Sequence, residues 1–395
     1  MSKKIPLAKP FVHGNEWAYV KECIDTGWIS SVGKYIDRFE DALAQMTGSR
    51  HVIVVSSGTA ALHIALKLVG VKEGDEVIVP TVTFIAPVNA LHYCGASAIF
   101  MDCDEYYNVD VAKVIKFIRE ETVFQDGYTY NKKTNKCVRA IMPVHVLGSA
   151  ADLAPLLDLC RERNIKIAED ATESLGTIYT QGPLAGKHTG TIGDAGCLSF
   201  NGNKIITTGS GGAILTNNDD YAAQARYWIA QAKDDDIQYI HNDVGYNYRL
   251  SNIQAALGLA QLEGLHEAIL RKRTNYHLYK EHLQGIEGLR LADTPAYADN
   301  NYWMYGLQVD RGQFGCGKDE LIQFLADHEI EARSLWYLNH KQLPYARCQN
   351  YQIERAYTLW EQTLNIPCSV DLTVDQIKEV CACIKKIQDE LALKA

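Results

Sequence analysis

Between residues 51 and 168 the chain alternates short apolar, β-branched runs with stretches of helical period. Residues 51–55, 76–79, 97–101, 138–144 and 165–168 read as strands. Residues 59–70, 84–94, 110–120 and 153–163 read as the helices between them. Strands separated by helices pair in parallel through crossovers, so this pattern predicts an α/β fold with a mainly parallel, helix-wrapped sheet. Two more apolar runs, 195–200 and 213–216, extend it. In such sheets ligands sit outside the carboxyl ends of the strands, and that is where chemistry is sought.

The alternation breaks once, at the polar insertion "ETVFQDGYTYNKKTNK", residues 121–136, which reads as a solvated excursion. From residue 252 to about 284 the texture becomes one or two long helices. Strands near 302–309 and 332–335 then mix with helices near 318–328 and 374–391. Residues 1–250 are therefore expected to form a large domain, and 251–395 a smaller α/β domain joined to it by the long helix. A net charge of −9 argues against a nucleic-acid-binding face. The N-terminus lacks the apolar core of a signal peptide, and no run approaches the ~20 apolar residues of a membrane span. The 11 cysteines form no CxxC pair and suit reduced, buried thiols, so a cytoplasmic protein away from membranes is expected, with no metal site assigned.

Three strand ends carry polar groups. The first strand runs into Ser56-Ser57-Gly58-Thr59 and then a helix, an arrangement that suits a phosphate cradle or an ordinary helix cap. Asp170 follows the strand 165–168, where a carboxylate needs either a turn amide or a buried cation as partner. Lys204 lies in "SFNGNKIITTGSGG", residues 199–212, a loop crowded with small residues; the plain alternative is a hairpin with an exposed lysine. Cradle, carboxylate and lysine, in that order, suit pyridoxal 5′-phosphate. That cofactor needs a phosphate anchor, an acid against its ring nitrogen and a lysine for its Schiff base.

Taken together, "GWISSVGKYIDRFE", "SSGTAALHIAL", "VIVPTVTFIAP", "IAEDATESLGT", "GDAGCLSFNGNKIITTGSGGAILT" and "GYNYRLSNIQAALGLAQLE" resemble the DegT/DnrJ/EryC1/StrS sugar aminotransferases. The resemblance implies a fold-type I pyridoxal phosphate enzyme with a mainly parallel seven-stranded sheet in its large domain. It matches Lys204 to the Schiff-base lysine and Asp170 to the partner of the ring nitrogen. Gly58, Thr59 and Ser199, with Ser57 beside them, match phosphate contacts. Phe84 matches the aromatic that stacks on the ring, with an ordinary core phenylalanine as the alternative. Asn247 and Arg249 match phosphate ligands reaching into a neighbouring subunit, which implies a homodimer with shared sites.

Two departures stand out: Glu173 where many relatives carry glutamine beside the cofactor's 3′-oxygen, and Gly209-Ser210-Gly211-Gly212 where Gly-Glu-Gly-Gly is common. The family implies a nucleotide-linked keto-sugar as acceptor and L-glutamate as donor. The segment "YTYNKKTNKCVRAIMPVHVLG", residues 128–148, resembles the subgroup acting on UDP-linked 2-acetamido-4-keto-6-deoxy sugars. Lys187, His188 and His340 are candidate substrate contacts; Glu40, His145 and the tryptophans read as structural. Two alternatives are a sugar dehydratase of the same fold and a non-catalytic regulatory protein. Lys204 argues against dehydratases that carry histidine at that position, and the full set of three groups argues against the regulator.

Overall fold

The structure, a computed structural model, describes residues 4–392. Ten strands precede residue 220. They are β1 (His51–Val55), β2 (Glu76–Pro80), β3 (Ser97–Met101), β4 (Thr122–Gln125), β5 (Tyr128–Asn131), β6 (Val138–Ile141), β7 (Lys166–Asp170), β8 (Ile178–Tyr179), β9 (Ala195–Ser199) and β10 (Gly212–Thr216). Seven of them build the large sheet in the order β1-β10-β9-β7-β6-β2-β3. All neighbours are parallel except β10, which runs against both β1 and β9. It follows that β1, β9 and β7 point the same way, and their carboxyl ends meet at one edge.

The expected seven-stranded sheet gains an eighth member. Gln349–Tyr351 pairs in parallel with β3 at the sheet's border. A three-residue strand of polar sequence carries no apolar run, so nothing in its composition announces it.

Helices cover both faces. They are α1 (Glu16–Thr26), α2 (Lys34–Thr47), α3 (Gly58–Leu68), α4 (Ala86–Tyr93), α5 (Val111–Glu120), α6 (Leu157–Glu162), α7 (Asp219–Ile229) and α8 (Asn252–Glu263), after which α9 (Leu265–Leu283) leads into the smaller unit. In α2 the buried Tyr35, Phe39 and Leu43 fall four residues apart, one stripe against the core. Helix α3 is buried almost all round, including every residue from Ala60 to Leu66, as befits a helix wedged under the sheet's active edge.

The two main cores do not divide the chain at residue 250 alone. Helix α8 completes the first core: Ala255, Ala256 and Leu259 pack with Phe39, Leu43 and Phe200. The second core gathers Tyr279, Tyr305, Leu307, Leu321, Leu364, Ile366, Ile377 and Ile384 around a four-stranded sheet of Leu289–Leu291, Tyr305–Val309, Thr363–Ile366 and Arg333–Ser334. Ile5 belongs to this second core, trading backbone hydrogen bonds with Glu329 and Glu331 at 2.9 Å each. The chain thus starts on the smaller unit before entering the larger one. The insertion at 121–136 is ordered: β4 and β5 form a hairpin whose buried Asn131 donates to Glu76 at 2.7 Å and to Gln349 at 2.9 Å. It buttresses the sheet border instead of standing free in solvent.

Candidate active site

The carboxyl ends of β1, β7 and β9 open into a cavity of about 480 Å³. Ser57, Gly58, Thr59, Phe84, Asp170, Glu173, Ser199 and Lys204 all line it. Sequence positions more than a hundred residues apart are brought together by strand order alone.

On the β1 side, Ser57 caps α3 by accepting a hydrogen bond from the Ala60 amide at 3.1 Å. Gly58 and Thr59 are the first helical residues, so their amides have no intrahelical acceptor and remain available to an anion. A Cβ on Gly58 would stand 2.7 Å from the Ser199 Cβ, and one on Gly212 would meet the Gly58 amide nitrogen at 2.7 Å. Both positions need glycine because two backbones and a serine converge there. Ser210 ties the lysine loop to this turn: its hydroxyl donates to the Ser56 carbonyl at 2.9 Å, and Gln254 of α8 donates to the Ser210 carbonyl at 2.7 Å.

Asp170 ends β7 fully buried, and Oδ1 accepts the Thr172 amide at 3.0 Å. This is the turn-capping reading. Burial holds the Asp170 carboxyl above its ordinary range, while hydrogen bonding from Thr172 and then the Lys204 charge pull it back. Its neighbour Glu169 points to the opposite side and accepts the Gly190, Ile192 and Gly193 amides together with His145. Adjacent carboxylates on one strand therefore divide the work, Glu169 bracing the loop and Asp170 facing the cavity.

Lys204 is mostly buried. Its Nζ lies 3.8 Å from Glu173 Oε1 and 4.2 Å from the centre of the Trp303 ring. Burial draws the amine below the ordinary lysine range, against the opposing pull of Glu173 and then Asp170. Desolvation pushes the Glu173 carboxyl up to about 7, the Lys204 cation resisting and the Asp170 charge assisting. The exposed-hairpin alternative for Lys204 does not describe this geometry.

Phe84 is 52% exposed and lines the cavity, so it is no core phenylalanine. The candidate substrate contacts fare differently. His188 is buried with both ring nitrogens engaged: Nδ1 donates to the Thr189 carbonyl and Nε2 accepts the Gly176 amide at 2.7 Å. Burial lowers its pKa to about 4, as for a structural pin. Lys187 beside it is exposed and does not line the cavity. His340 is held between Thr81 Oγ1 at 2.7 Å and the Tyr357 hydroxyl at 2.9 Å, likewise away from the cavity lining. Asn247 and Arg249 are exposed and do not line this subunit's cavity, although the Tyr248 carbonyl accepts the Ser56 amide at 2.7 Å. Glu40 is structural, accepting the Val54 amide and pairing with Arg226.

Reading the tryptophans as structural missed two wall residues. Trp303 and Trp336 lie in the cavity lining, their rings stacked 6.4 Å apart at 16°. Arg333 joins them there. All three come from the smaller unit, in or next to the runs 302–309 and 332–335 read as strands there, and nothing in those runs says that they face the larger unit's cavity.

These residues fit pyridoxal 5′-phosphate on the structure's own terms. The helix start and Ser199 supply donors for a dianion, the buried Asp170 carboxyl faces the same cavity as a partner for a cationic ring nitrogen, and Lys204 lines it with them. The comparisons agree. Residues 11–385 match the DegT/DnrJ/EryC1/StrS aminotransferase family. GDP-perosamine synthase of Caulobacter vibrioides is 38% identical over 97% of this chain and 98% of its own length. The Vibrio cholerae enzyme of that name is 36% identical over 96% and 98%. Among solved structures, Helicobacter pylori PseC, an aminotransferase, superposes with a TM-score of 0.87 at 21% identity, covering 98% of this chain and all of that one. DesV of S. venezuelae gives 0.82 at 26% identity, over 95% and 94%. The chain belongs to the DegT/DnrJ/EryC1/StrS aminotransferase family and is a pyridoxal phosphate-dependent transaminase of fold type I.

Proposed function

We propose that the enzyme moves an amino group from L-glutamate to the keto carbon, at C4, of a nucleoside diphosphate-linked deoxy sugar, with GDP as the carrier. The observation that carries this reading is the convergence of Lys204, Asp170 and the Gly58–Thr59 helix start on one cavity walled by Trp303 and Trp336. Indole faces suit the C–H surface of a sugar ring, and Arg333 supplies a positive charge for an anionic substrate. GDP is favoured because relatives 36–38% identical along nearly their whole length are GDP-perosamine synthases. The UDP-acetamido alternative rested on the segment 128–148, none of whose residues lines the cavity.

In this reading the bound cofactor supplies an electron sink. Lys204 forms the covalent link at rest and, once freed, carries the proton between carbon atoms. Asp170 keeps the ring nitrogen charged, Phe84 covers the ring, and Gly58, Thr59 and Ser199 hold the phosphate, with Ser57 fixing the helix start and Glu173 lying beside the reactive end. Incubation with L-glutamate and a panel of GDP-, UDP- and dTDP-linked 4-keto-6-deoxy sugars, followed by mass spectrometry, tests the assignment. Amination of the GDP sugar is expected to dominate; preferential amination of a UDP sugar overturns the choice of base, and loss of oxygen without amination points to a dehydratase.

The same reading makes the enzyme a homodimer whose subunits share sites. Its support is the hairpin Lys233–Asp235 and Ile240–His241, which carries Ile237, Tyr239 and Val244 at 88%, 71% and 70% exposure just before Asn247 and Arg249. Apolar side chains so bare suit burial against a second copy. If Arg249 reaches the partner's phosphate, inactive Lys204→Ala and Arg249→Ala chains complement when paired. One site of the heterodimer carries both defects and the other neither, so about half the native activity per heterodimer is expected. Purified heterodimers as inactive as their parents overturn the shared-site reading.

A further inference from the structure

We propose that Glu173 sets the charge of the Lys204 amine, the two groups holding one proton between them at the cavity floor. The inference rests on Lys204 being the reactive lysine. Its geometry is a carboxylate with two different oxygens: Oε2 accepts the Leu147 amide at 2.8 Å, and Oε1 stands 3.8 Å from Lys204 Nζ.

The carboxylate is held rigidly. Leu147 sits at φ 57°, a left-handed conformation unfavourable for leucine, and this conformation places its N–H on Glu173. Asn301 clamps the adjoining turn by donating to the Glu173 carbonyl at 2.8 Å and the Leu175 carbonyl at 3.0 Å. Its own Oδ1 accepts the Trp303 amide at 2.9 Å, so one side chain positions both the carboxylate's turn and the indole beneath the amine. A Cβ on Gly148 would stand 1.9 Å from Asn301 Oδ1, which leaves no room for a side chain there. Backbone strain and a dedicated clamp are costly in a purely structural contact and are expected where a functional group must be aimed.

The titratable and charged groups around the pair are few. Asp170 comes from the end of β7, His145 from the turn before Leu147, and Arg333 from the smaller unit's cavity wall; Asn301 and Trp303 are uncharged. The Trp303 face at 4.2 Å and the Glu173 carboxylate both favour the ammonium form. Once Nζ and Oε1 close from 3.8 Å to hydrogen-bond distance, an N–H bond of Lys204 breaks and an O–H bond forms on Glu173, converting ammonium and carboxylate into amine and acid. No other reactant is needed. In the cofactor-free chain the amine is thereby kept charged until it is needed and released as a nucleophile without exporting a proton to water.

The test reads the amine itself. The cofactor-free full-length chain is trace-labelled with acetic anhydride across pH, and acetylation at Lys204 is quantified by peptide mass spectrometry, with exposed Lys187 as internal reference. In Glu173→Gln the ammonium loses its carboxylate, so the pH midpoint of Lys204 labelling is expected to fall by about one unit or more. Below both midpoints that is roughly tenfold faster labelling. Glu173→Asp, with the carboxylate drawn back, is expected to fall between and serves if the glutamine variant does not fold. Midpoints equal to the native one in the folded variants overturn the proposal. Such a result leaves the reactive-lysine reading standing, because that reading fails only if borohydride attaches the cofactor to a different lysine.

Discussion

Lys204→Ala is expected to abolish amino transfer, lowering kcat by roughly 10⁴-fold or more, the scale on which removing a covalent catalytic group acts. No nearby group can stand in, since Lys204 is the lysine in the cavity lining. The chain should nevertheless fold. Removing the cation lets the Glu173 carboxyl rise further above about 7, so it takes up a proton and no bare carboxylate pair is left at neutral pH. Lys204→Arg separates charge from chemistry: guanidinium restores the cation but cannot form the covalent link, so it is expected to be as inactive as alanine. Borohydride reduction of the native enzyme should fix the cofactor to the peptide containing Lys204, and neither variant should be labelled. Substantial turnover by the arginine variant, or labelling of another lysine, sinks the assignment.

How much of this was readable beforehand depends on whether a residue's role is local. The strands ending at Val55, Asp170 and Ser199 are short apolar runs, and the polar groups just beyond them are where parallel-sheet geometry places ligands. That rule found the Ser57–Thr59 turn, Asp170 and Lys204. It could not find Trp303, Trp336 or Arg333, which reach the cavity through packing of the second core against the first. A histidine is no easier to judge. His188 and His340 look like pocket residues in the sequence, but each is consumed by two local hydrogen bonds that only the folded chain reveals. Long-range pairings stay hidden for a related reason. Ile5 and Gln349–Tyr351 each join a unit far from their neighbours in sequence, one by a backbone exchange and the other by a three-residue pairing. Neither leaves a periodic signal.

Asp170→Asn is expected to keep the fold and the cofactor but lower turnover by roughly 10² to 10³-fold, the usual effect of removing one preorganised electrostatic contact. Asparagine retains an oxygen for the Thr172 amide, so the turn after β7 should persist. What it loses is the negative charge, and a neutral amide cannot hold a ring nitrogen protonated. The substitution has a second consequence inside the same cavity. Asp170's charge is one of the influences raising the Glu173 carboxyl, so its removal shifts that carboxyl downward from about 7. Glu173 should then ionise at lower pH and any activity remaining should show its acid limb displaced to lower pH. Absorbance of the bound cofactor checks occupancy, and a pH profile of the residual rate checks the displacement. Near-native turnover with the cofactor bound would show that Asp170 only caps its turn, and the electron-sink role would have to be assigned elsewhere.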